Sequence, residues 1–139
     1  MSSALPIGTH GSYPKLVFPV PADVAALASH ALAIREAMPE AYIERTKVGA
    51  ARAKQLASGG KITLRDAHFM FRYFARHYPD VAKVAFDPMR PTAGWNSWNL
   101  WGGTPAARWV AGIWLTYGGL YDETDVARSV RALLDRLPR

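Results

Sequence analysis

Residues 63–79, TLRDAHFMFRYFARHYP, decide the fold. Thr63 with Asp66 three positions later is a capping box: each side chain accepts from the other's backbone N–H, so a helix starts here. At about 100° per residue, Leu64, Ala67, Met70, Phe71, Phe74, Ala75 and Tyr78 fall on one broad face that wants burial. Pro79 is expected to end the run. Arg65, Arg72 and Arg76 lie within about 40° of one another on a different face, flanked by His68 and Phe69. One helix therefore carries a core stripe and a separate arginine stripe, with Phe69 and Tyr73 beside the arginines.

Upstream, Gly59-Gly60 stops an earlier helix that spans about 46–58. Ala50, Ala51, Ala53 and Ala57 allow it to pack closely and leave Val48 and Leu56 as its bulky apolar groups. Before that, Val24, Leu27, Ala28, Ala31, Leu32 and Ile34 recur at helical spacing between Pro21 and Pro39. Residues 1–20 mix Pro and Gly with small apolar groups and read as an extended arm, lying either on the domain's own core or on another protein. Downstream, a link broken by Pro88 and Pro91 leads to a helix over Ala93 to Trp101, stopped by Gly102-Gly103. Thr104-Pro105 has the form of an N-cap followed by proline at the first helical position, opening a helix that Gly118-Gly119 closes. A last helix runs from about Glu123 to Arg136. No run of strands is evident. The expected fold is all-α: five or six short helices in a single domain over 21–139, with the extended arm before it and a helix-turn-helix-like hairpin within it.

Charge is sharply partitioned. In 45–77, Arg45, Lys47, Arg52, Lys54, Lys61, Arg65, Arg72 and Arg76 face one acid, Asp66, whereas the rest of the chain is close to neutral. A local excess of this kind needs an anionic partner or open solvent. The segment 48–77, a small-residue helix, a turn and a capped helix with outward arginines, has the outline of a helix-turn-helix. Its turn is longer than the usual three or four residues, and an αα-hairpin with a solvated basic face has the same sequence pattern.

Several chemistries lack their residues. Without cysteine there is no disulfide frame, thiolate metal site or cysteine nucleophile. His10, His30, His68 and His77 show no metal-ligand spacing, and Asp80 and Asp87 sit beside Pro79 and Pro88 as turn formers. No P-loop, dinucleotide fingerprint or nucleophile elbow occurs. No cofactor, metal or catalytic residue is therefore expected. No stretch of 18 apolar residues occurs and prolines interrupt the N-terminal region, so neither a membrane span nor a cleaved signal is expected. The tryptophans at 95, 98, 101, 109 and 114 read as core, their indole N–H groups served by Asn96, Ser97 or Asn99 nearby.

Ala51-Arg52-Ala53-Lys54-Gln55-Leu56-Ala57, Thr63 with Met70, Phe74-Ala75-Arg76-His77, Ala93-Gly94, Trp98, and Leu100-Trp101-Gly102-Gly103 with Trp109 form an ordered set of short motifs. Over 45–115 this set resembles a small helical domain, of unassigned function, encoded by many tailed bacteriophages and prophages and sometimes carried near or within head-related proteins. The family's linker before the Leu-Trp-Gly-Gly motif is more polar and glycine-rich than residues 78–92 here, which carry Val81, Val84, Ala85 and Phe86. The resemblance implies a phage origin, in the host cytoplasm or the virion, and supplies no catalytic residues.

The leading expectation is a non-enzymatic domain that contacts nucleic acid, DNA foremost, through Arg65, Arg72 and Arg76, with Arg52, Lys54, Lys61 and Phe69 in support. The alternative is a protein-interaction module, either a head-associated virion component or an inhibitor of a host factor, motivated by the apolar arm and the many aromatics.

Overall fold

The computed structural model describes residues 13–121 and 125–138. A short strand β1 (Val17–Pro19) leads into α1 (Ala22–Arg35), α2 (Glu40–Arg45) and α3 (Lys47–Ala57). Strand β2 (Lys61–Thr63) precedes α4 (Leu64–Val81), followed by α5 (Ala93–Leu100), α6 (Gly103–Tyr117), a 3-10 turn over Gly118–Leu120, and α7 (Val126–Arg136). The architecture is an all-α bundle with one small two-stranded sheet.

At its centre lies α6, packed on α4, α7, α1 and α5. It tolerates neighbours on most sides because its buried residues, Gly103, Ala106, Ala107, Val110, Ala111, Ile113 and Trp114, are apolar nearly all round. On the other flank α1 packs on α3 and α5, and small buried residues on both helices, Ala28 and Ala31 against a helix carrying Gly49, Ala50 and Ala53, allow close approach. A Cβ at Gly49 would already press on Leu100 and Trp101 at 3.3 Å. Leu56, Phe74 and Trp98 are fully buried, each worth about 1.5–3 kcal/mol of apolar transfer.

Two short strands stand where the sequence pattern shows none. β1 pairs antiparallel with β2 in the register Val17↔Thr63, Phe18↔Ile62, Pro19↔Lys61. Backbone bonds from Val20 N to Gly60 O (2.9 Å) and from Leu64 N to Leu16 O (3.2 Å) extend the pairing. Residues 13–20 of the arm therefore lie on their own domain; residues 1–12 of the expected arm are outside the described residues. Three-residue strands are too short to show a period of two, which is why they leave no pattern.

Other boundaries move for local reasons. Pro79 does not stop α4, which continues to Val81; so near the C-terminal end the ring costs little more than one hydrogen bond, and Val81 is anchored by burial. A short extra helix, α2, follows Pro39. Arg35 fastens it by donating from Nε to Thr46 Oγ1 at 2.8 Å and from Nη2 to Ile43 O at 2.6 Å. Thr104 is not the N-cap of α6; Gly102 is, at φ +102°. The Thr104 hydroxyl instead accepts from Trp98 Nε1 at 3.2 Å, so that indole finds its partner across the α5–α6 corner and not among the neighbouring asparagines. The helical part of the last element begins at Val126, and the expected start at Glu123 is outside the described residues.

Candidate nucleic-acid interface

The capping box expected at the start of α4 is formed: Asp66 N donates to Thr63 Oγ1 and Thr63 N to Asp66 Oδ2, each at 3.0 Å. From this fixed start, Leu64, Ala67, Met70, Phe71 and Phe74 turn inward and are buried. Arg65, Arg72 and Arg76 lie on the outer side and are all exposed, and Phe69 is half-buried. Spacings of four, three and four residues place Arg65, Phe69, Arg72 and Arg76 on one ridge of α4.

In the helix-turn-helix-like hairpin, helix, turn and helix follow in the expected order, with β2 inside the turn. Its packing differs from a helix pair laid face to face. The main neighbours of α3 are α1 and α5, and those of α4 are α6 and α5. What joins α3 to α4 is a polar knot. Arg52 Nη1 donates to Asp66 Oδ1 at 2.9 Å and to Gln55 Oε1 at 2.6 Å, while Gln55 Nε2 donates to Asp66 Oδ2 at 3.1 Å. The Arg52 guanidinium also lies 5.3 Å from the Trp101 ring centroid.

This knot changes the standing of Arg52. With a side chain only 13% exposed and its charge committed to Asp66, it is a brace within the fold. The same pairing consumes the one acid of the basic segment. Among the described residues, no ion pair involves Lys54, Lys61, Arg65, Arg72 or Arg76; Lys54 and Lys61 are exposed at the end of α3 and in β2. Asp66 itself feels burial, which raises its pKa, but the Thr63 amide, Arg52 and Gln55 together outweigh it and hold the carboxyl below its ordinary value.

The two aromatics beside the arginines have different surroundings. Tyr73 is packed inward, stacked on Trp101 at 4.3 Å, with its hydroxyl 3.0 Å from Ser97 Oγ. Burial pushes its pKa up to about 12. Phe69 stays at the surface of the ridge, with the Arg65 guanidinium 4.8 Å from its ring centroid. His77, next to Arg76, is held below the ordinary imidazole range first by burial and then by that arginine, so it stays neutral at neutral pH.

Three contributors carry little or no sequence signal. A depression of about 760 Å³ surrounds Arg72 and Arg76, bounded by Val48 of α3 and Ser129 of α7, with Trp101 on its floor. Val48, one of the two bulky apolar groups of its helix, is 72% exposed. At the other end of the ridge, Tyr13 shares a 2.8 Å hydrogen bond with His68 Nδ1 and stacks on Tyr121 at 3.9 Å, while His68 stacks on Trp114 at 3.8 Å. Burial, reinforced by Tyr121, raises the Tyr13 phenol to about 12 although Arg65 and Arg72 pull it down. The arm is thereby pinned beside α4. Only the bulk of Val48 in an alanine-rich helix offers a signal; Ser129 and Tyr13 come from elements remote in sequence.

Among the described residues there is no group of three acidic or histidine side chains able to hold a metal ion, and no helix is long and apolar enough to cross a membrane. Comparison with family models, with curated proteins and with solved structures finds no match for this chain.

Proposed function

We propose that this chain is a non-enzymatic, phage-encoded helical domain that contacts nucleic acid, DNA foremost, through the outer ridge of α4. One observation carries the reading: Arg65, Arg72 and Arg76 share an outer face and, among the described residues, no carboxylate pairs with them, because Asp66 is engaged by Arg52. Guanidiniums in a row suit phosphate oxygens, and Lys54 and Lys61 extend the same positive field. Arg52 acts in this reading by holding α3 to α4, not by touching the ligand. Phosphate neutralisation supplies most of the affinity, so binding weakens steeply with salt. Replacing the three ridge arginines by alanine should sharply reduce retention on immobilised DNA and RNA at low salt while helicity persists; unchanged retention by the folded variant refutes the proposal.

A protein-interaction role, in the virion head or against a host factor, draws on a different observation. The link between α4 and α5 exposes Val84, Phe86 and Met89, the last at 86%. Salt-independent self-association in light scattering, with no shift of labelled DNA, would favour that role over the first.

A further inference from the structure

We infer that the ligand of the α4 face is a single strand, held with an unpaired base stacked at Arg65 and Phe69; this rests on the nucleic-acid reading above. Phosphates need only the cations, and the face offers more. Phe69 sits within the ridge, four residues after Arg65 and three before Arg72, and remains half-buried at the surface. Val48 is 72% exposed at the rim of the same depression. Apolar surface left open among cations gains nothing from a phosphate but gains from the face of a base. The guanidinium of Arg65, 4.8 Å from the Phe69 ring centroid, is held against that ring by cation–π attraction and forms a stacking platform of the kind unpaired bases use.

The surroundings of α4 point the same way. A helix with its side chains is about 10–12 Å across and fills a major groove about 12 Å wide only if it stands clear of its own protein. The depression around Arg72 and Arg76 is bounded by α3 at Val48 and by α7 at Ser129, so α4 has neighbours on both sides of its ridge. A flexible strand can lie along such a face, where Arg65 to Arg76 covers about 16 Å of helix axis. Bases paired in a duplex cannot reach Phe69.

The test compares three labelled probes by fluorescence anisotropy at one low salt concentration: a short oligothymidylate, an abasic oligomer of the same length, and a duplex. Oligothymidylate should bind at least about fivefold more tightly than the abasic oligomer, the effect of one stacked base, and more tightly than the duplex. Phe69→Leu keeps apolar bulk without a ring, and Arg65→Lys keeps charge without a plane. Phe69→Leu should bring oligothymidylate down to the abasic level and leave abasic binding unchanged, and Arg65→Lys, which also alters a phosphate contact, should weaken oligothymidylate more than the abasic oligomer, with thermal unfolding monitored to show that both variants fold. Equal binding of oligothymidylate and the abasic oligomer, preference for the duplex, or variants that weaken both single-stranded probes alike would overturn the inference while the nucleic-acid reading survives. If none of the three probes binds, both are overturned.

Discussion

Arg52 and Asp66 hold each other at 2.9 Å with side chains 13% and 22% exposed, a degree of burial at which a charge left without its partner is costly. Arg52→Ala should lower stability by about 1–3 kcal/mol, measured by urea denaturation, yet weaken oligonucleotide binding less than alanine at Arg72 or Arg76. The acid limb of stability belongs to the same pair. Because the folded state holds Asp66 below its ordinary value of 3.8, its contribution is full above that value and is lost as the pH falls through the lower folded value. Denaturation midpoints of Asp66→Asn across this range should fall less steeply than those of the unaltered chain. Thr63 and Asp66 can be paired from sequence because a capping box is local. The engagement of Arg52 cannot, since it depends on where α3 lies relative to α4, fourteen residues apart along the chain.

The helices follow their periodicity, and the departures have element-level causes. The face of α4 is legible because its core stripe recurs at helical spacing over five turns, which also fixes where the arginines point. The side that Val48 takes is not legible, because apolar character alone does not say which side of a short helix meets a neighbour; α3 turns Gly49, Ala50, Ala53 and Leu56 inward and leaves Val48 outside. At the α5–α6 corner, the sequence pattern suggests a Gly-Gly stop followed by a separate cap, whereas Gly102 itself makes the corner at φ +102°. A Cβ there would come within 2.5 Å of Ala106 Cβ and 2.8 Å of Val24 Cγ1. Gly102→Ala should therefore cost about 2–5 kcal/mol, combining backbone strain with overpacking, seen as a markedly lower thermal midpoint. Gly59→Ala, at φ +73° in open space, should cost less, because only the backbone strain applies.

Across the whole molecule, the charge partition becomes a directional property. The eight cations of 45–77 are not equivalent: Arg52 braces the interior and Lys47 pairs with Glu44 at 2.9 Å, whereas the α4 ridge points outward from a core of Trp98, Phe74 and α6. Composition sets the size of the excess, and only the fold separates braced charge from available charge. Nucleic-acid binding, in this reading, depends on that available charge meeting phosphates. The most direct measurement is the salt dependence of oligonucleotide affinity for the unaltered chain and for the variant with Arg65, Arg72 and Arg76 replaced by alanine. Removing three phosphate-binding side chains should reduce the slope of log K against log salt by about 2 to 3 and lower the affinity throughout the low-salt range; two coincident lines from two folded proteins would contradict the proposed role of the ridge.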